Sequence, residues 1–111
     1  MNNARRKELE GIASELGRYQ SRLEELKEEF ESTKDNLSEI QFDEESYRDN
    51  MPENLQTSQR YEDSEAASDN MESASDDLDA VIEALENAIS EIDSALDSLE
   101  TAISTVEDAA V

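Results

Sequence analysis

From Leu78 onward the sequence repeats every seven residues, as LDAVIEA, LENAISE, IDSALDS, LETAIST and VEDAAV. Leu78, Leu85, Ile92, Leu99 and Val106 recur at position a of this frame, and Val81, Ala88, Ala95 and Ala102 at position d. Position e holds Ile82, Ile89, Leu96 and Ile103. Apolar residues at such spacing line one side of an α-helix and no side of a strand. The apolar stripe is three columns wide, and a stripe that wide serves more than one neighbouring helix. Upstream, Ala67, Met71 and Ala74 extend it more weakly.

The first half has the same beat. Leu9, Ile12, Leu16, Tyr19, Leu23, Leu26, Phe30, Thr33, Leu37, Ile40, Glu44 and Tyr47 follow one another at steps of 3 and 4. The spacing predicts a second long helix with an a/d seam of the coiled-coil kind. Between the two runs lies DNMPENLQTSQR, Asp49 to Arg60. Pro52 cannot sit inside a helix without removing a hydrogen bond and clashing with the preceding turn, and it biases Met51 away from helical angles. At a first helical position it can open a short turn of its own. The chain of 111 residues is therefore expected to be one all-α domain: helix one over about 3–48, a joint at 49–60, and helix two over about 61–109. The Ser-, Asp- and Ala-rich segment 64–77 leaves the start of helix two open, between Thr57 and Ser64.

Charge suggests the relative direction. Arg5, Arg6 and Lys7 stand at the start of helix one, where the helix dipole disfavours cations, and Glu107 and Asp108 stand at the end of helix two, where it disfavours anions. An antiparallel hairpin brings those ends together and offsets both penalties. Arms of about 45 residues would be roughly 70 Å long. A lone hairpin leaves the e column wet, so Ile82, Ile89, Leu96 and Ile103 are expected to carry self-association. A homodimer forming a four-helix bundle is the simplest outcome.

The charge is also lopsided. Residues 1–60 hold all 9 bases and 15 of the acids; residues 61–111 hold 16 acids and no base. The opposite face of helix two runs Asp76, Asp79, Glu83, Glu86, Ser90, Asp93, Asp97, Glu100, Ser104 and Glu107. Its five adjacent acid pairs cost about 1–2.5 kcal/mol together. A few lysines would remove that cost. Two readings follow: a solvated face kept for solubility, or a surface shaped to resemble nucleic acid. Two hairpins side by side would carry one charge per about 1.6 Å of axis, close to the roughly 1.7 Å of duplex DNA. Asp76, Asp79, Glu83, Glu86, Asp93, Asp97 and Glu100 are the residues expected to meet a basic partner. The acids of helix one at Glu24, Glu25, Glu28, Glu29 and Glu31 read as ordinary solvation as readily as a second such surface.

Other chemistry is poorly served. The chain has no His and no Cys, and no glycine-rich phosphate loop. Neither an enzyme, nor a cofactor, nor a metal site is expected: the EF-hand loop with its central glycine is missing, and helical di-iron sites want histidine. Direct nucleic-acid binding conflicts with a net charge of −22, as does binding to an anionic membrane. The basic start MNNARRKELEG has no apolar run behind it, and no run of about 18 apolar residues exists, so a cytoplasmic location is expected. Three further features invite a contact reading. Phe42 falls off the seam at an outward position, as a frayed helix end or an aromatic anchor. Tyr47 and Tyr61 flank the joint, where each is expected to pack on the other arm. Gly11 and Gly17 interrupt helix one, through close approach of another backbone or mere tolerance.

The joint DNMPENLQTSQR, the start NNARRKELEGI and the acidic L-x-x-A-I-x-x helix together resemble small acidic helical proteins encoded by bacteriophages and prophages, with a D-N-x-P-E-x-L-Q-x-S-x-R joint. The resemblance covers most of the chain. That group has no established activity. It implies a phage setting and a bacterial host cytoplasm, where small acidic proteins often block nucleic-acid-binding defence enzymes. The expected function is therefore a non-enzymatic inhibitor that acts as a nucleic-acid decoy toward a basic host protein. The alternative is a structural or adaptor coiled coil that binds a partner helix along the Leu78, Ile82 and Ile89 edge.

Overall fold

The structure, a computed structural model, describes residues 3–109, with side chains described as far as Thr105. It contains two long α-helices, α1 (Asn3–Asp49) and α2 (Gln59–Ala109), joined through a 3-10 turn at Glu53–Leu55. Among the described residues there is no strand, and the helices pack as an antiparallel hairpin. Glu107 and Asp108, half of the end-to-end charge pairing expected above, have side chains outside the described residues.

Local chemistry explains the joint. Asn50 donates its backbone N–H and its side-chain amide to the Ser46 carbonyl, and the Met51 N–H reaches Arg48 O, which closes α1. Pro52 then adopts φ −58° and ψ 145°, extended rather than helical, and stands just before the 3-10 turn. The Leu55 and Gln56 N–H groups bond back to Pro52 and Glu53. Ser58 caps α2: its hydroxyl accepts from the Tyr61 N–H at 3.3 Å, the N-cap arrangement in which a side-chain oxygen satisfies an orphan donor. That cap starts α2 at Gln59, inside the Thr57–Ser64 window that the sequence left open.

The chain divides into two compact units. The terminal unit joins Met1–Lys27 to Ala84–Val111, and the loop unit is Glu28–Glu83. With Leu9 and Leu78 both at position a, most half-buried residues of the terminal unit are in columns a and e, with Gly17, Ala88 and Ala102 besides. They include Leu9, Ala13, Leu16, Gln20, Leu23 and Lys27 on α1, and Leu85, Ile89, Ile92, Leu96, Leu99 and Ile103 on α2. The loop unit obeys the same rule with Phe30, Lys34, Leu37, Gln41, Glu44 and Arg48 against Tyr61, Ser64, Ser68, Met71, Ser75, Leu78 and Ile82.

This corrects the sequence reading on both helices. The d column of helix one stands outside the seam: Ile12 is 47% exposed, Tyr19 44%, Leu26 39% and Ile40 54%. The e column of helix two, expected to stay wet and carry self-association through Ile82, Ile89, Leu96 and Ile103, is half-buried within the hairpin instead. Side-chain size gives the reason. An isoleucine exceeds an alanine by three carbons, worth roughly 2 kcal/mol when fully buried and about half that here. Column e of α2 is Ile or Leu, whereas column d is mostly Ala, so turning e inward removes more apolar surface from water. Opposite it, α1 offers Gln20, Lys27, Lys34 and Gln41, whose aliphatic stems cover apolar surface while their heads stay wet.

Candidate acidic interaction surface

All seven acids singled out in the sequence lie on α2 and all are exposed. The seam divides them. Asp79, Glu86, Asp93 and Glu100 occupy position b, beside column e. Asp76, Glu83 and Asp97 occupy position f, turned further from the seam. In the loop unit Lys34 bridges Asp79. In the terminal unit Lys27 bridges Glu86 at 3.2 Å, and Gln20 donates its amide to both the Ile89 carbonyl and Asp93 Oδ1. Asp79, Glu86 and Asp93 are thus held by α1. The missing positive charges of helix two are supplied in part across the seam, which the sequence of helix two alone could not reveal.

The Lys34 ammonium is held above the ordinary lysine range. Its hydrogen bond to Asp79 is the main cause; the charges of Asp79, Asp35 and Asp76 add to it, and desolvation opposes it. A raised lysine pKa stabilises the fold below the unfolded value, about 10.4. The contribution is lost only as pH rises through the higher folded value. Lys34 therefore carries its charge throughout the neutral range.

Arg48 is a second polar device, and sequence reading missed it. It sits in the last turn of α1, where a cation suits the helix dipole. Its guanidinium donates to the Ser64 carbonyl at 3.1 Å and to the Ser68 hydroxyl, and Ser68 in turn donates to Ser64 O at 3.0 Å. Ser64 and Ser68, each 3% exposed, are the buried residues of the described chain. The signal was present as the run of small residues after Tyr61, which lets the helices approach closely.

Phe42 is 67% exposed at its outward position. Tyr61 is half-buried, whereas Tyr47, expected to pack on the other arm, is exposed. Tyr47, Met51, Pro52, Leu55 and Arg60 line an open cleft of about 590 Å³ at the joint. Its lining carries Arg60 as the one charged side chain and no paired groups for acid–base work. Neither Gly11 nor Gly17 has a backbone near it: a methyl group at either would meet nothing within 4 Å. Among the described residues, no group of three or more acids, His or Cys is placed to hold a metal ion, and no helix is long and apolar enough to cross a membrane. The chain matches no known protein family, no curated protein and no solved structure.

Proposed function

We propose that this chain is a non-enzymatic acidic binding protein, a decoy that occupies the basic nucleic-acid cleft of a host protein, in keeping with the phage setting implied by its joint. One observation carries the reading. Carboxylates are fixed at helical spacing on α2, which has no base beyond Arg60, and the bridges from Lys27 and Lys34 fall on Glu86 and Asp79 of the b column. Asp76, Glu83 and Asp97 stay turned outward. Residues 61–111 hold 16 acids, or one charge per roughly 5 Å of helix axis. That approaches the spacing of about 3.4 Å along one DNA strand. A field of this sign speeds encounter with basic grooves and weakens with salt.

Capture from a bacterial lysate on immobilised chain tests the reading. Nucleic-acid-handling proteins should be retained at low salt, released at high salt and displaced by duplex DNA. The quadruple variant Glu83→Lys, Glu86→Lys, Asp93→Lys, Asp97→Lys should retain none of them. Retention of no basic protein, or retention by that variant equal to wild type, refutes it.

One observation favours a second reading, an adaptor coiled coil. The apolar column Ile12, Tyr19 and Leu26 of α1 lies open to another helix, whereas the Leu78, Ile82 and Ile89 edge first considered for that role is engaged in the hairpin. An adaptor would keep its partner when the four lysines are introduced.

A further inference from the structure

Within the terminal unit, Gln20 and Lys27 at position e of α1 reach Asp93 and Glu86 at position b of α2. Position d lies on the other side of column a. Ile12, Tyr19 and Leu26 of α1, and Ala88, Ala95 and Ala102 of α2, therefore flank the seam on the side away from those bridges. An antiparallel pair is related by a two-fold axis normal to its common plane, so columns on the same hand of both helices share one face.

Register then sorts the face by size. Lys27 stands level with Glu86, and residue numbers at one level add to about 113. Ile12 is level with Ala102, Tyr19 with Ala95 and Leu26 with Ala88, each time one large side chain beside one small. The loop unit, taken by itself, follows the same rule from the Lys34–Asp79 bridge. There Ile40 is level with Ala74 and Tyr47 with Ala67; Thr33 and Val81, nearly equal in size, are the level that departs from the pattern.

On this face Ile12, Tyr19 and Leu26 of α1 and Ala95 of α2 are exposed, and Ala88 and Ala102 are half-buried. No apolar side chain among the described residues is buried. The chain exposes 7849 Å², more than the roughly 6,200 Å² of a compact folded chain of 12.5 kDa, and that excess is spread over the whole surface.

We propose that a second copy of this chain docks on this face, with α1 of each copy lying antiparallel against α2 of the other. A two-fold axis parallel to the helices leaves every residue at its own height. The register across the interface is then the register the hairpin already has, with no freedom to slide. Each bulky side chain of α1 meets an alanine of the other copy.

Charge decides for a second copy over an unrelated helix. Position g borders d on its outer side, and in an antiparallel pair g faces g. In the terminal unit this sets Arg22 against Glu91, Glu15 against Ser98 and Glu8 against Thr105 of the other copy. In the loop unit it sets Asn36 against Asp77 and Asp43 against Asn70. In a chain with 31 acids and 9 bases, none of these levels opposes acid to acid. The proposal does not depend on what the acidic surface binds.

Sedimentation equilibrium of the full chain across micromolar concentrations tests it, with circular dichroism to follow the fold. Wild type should sediment as a dimer. Tyr19→Glu with Leu26→Glu should halve that mass, whereas Ser14→Glu with Ser21→Glu, equal in charge but at position f, should not. Arg22→Glu should raise the dissociation constant several-fold, and adding Glu91→Arg to the same chain should restore it. The chain has no cysteine, so Tyr19→Cys and Ala95→Cys chains oxidised as a mixture should form the mixed disulfide, and neither should pair with itself. A monomer across the whole range, a larger assembly, a dimer indifferent to the position-d glutamates, or Tyr19→Cys pairing with itself would overturn the proposal.

Discussion

Arg48 gives the loop unit a polar anchor in a hairpin that buries no described apolar side chain. Its bonds to Ser64 O and Ser68 Oγ are charge-assisted, and hydrogen bonds to a charged group contribute about 1.5–3 kcal/mol each. Arg48→Ala should therefore lower the unfolding free energy by about 2 kcal/mol, read from urea denaturation. The two serines should respond in opposite ways. Ser68 donates and accepts, so Ser68→Ala removes one of the two acceptors of the guanidinium and costs about 1 kcal/mol. The Ser64 hydroxyl is buried with no hydrogen-bond partner. Ser64→Ala removes an unsatisfied group and adds helix propensity, so it should be neutral or stabilising. Equal losses at Ser64 and Ser68 would show that packing, not hydrogen bonding, holds this end.

At the scale of the element, α1 carries both glycines in open space. With no contact to lose, Gly11→Ala and Gly17→Ala should each stabilise by about 0.5–1 kcal/mol, visible as a rise of a few degrees in Tm. A loss at either position would reveal a neighbour from another chain. The helices, the break at Pro52 and the antiparallel return were all legible in the sequence, because period and proline chemistry act locally. Which columns face inward was not. Steps of 3 and 4 run equally well through a and d or through a and e, so periodicity alone cannot separate the two seams. The apolar d column of α1 favoured the first, and its polar e column concealed the second. Only the joint demand of both helices resolves it: α2 turns its Ile and Leu columns inward, and α1 answers with the stems of Gln20, Lys27 and Lys34. The acidic candidates met the same limit. Their positions were plain, but Asp79, Glu86 and Asp93 are held by residues whose side of the helix depends on that choice.

For the whole molecule, net charge competes with the bridges. The exposed pairs Lys27–Glu86 and Lys34–Asp79 contribute little, because solvent and salt screen them. The self-repulsion of a chain at −22 weakens with salt as well, and with 31 acids against 9 bases it dominates. Thermal melts should therefore shift upward between low and physiological ionic strength; a downward shift would mean that the bridges carry more than their exposure suggests. The alternation of large and small along the open face also limits how such a chain can diverge. Bulk at each level is a shared quantity. Ala95→Leu alone overfills its level, and shrinking Tyr19 at the same time relieves the crowding. Tolerated variation should then arrive in compensating couples.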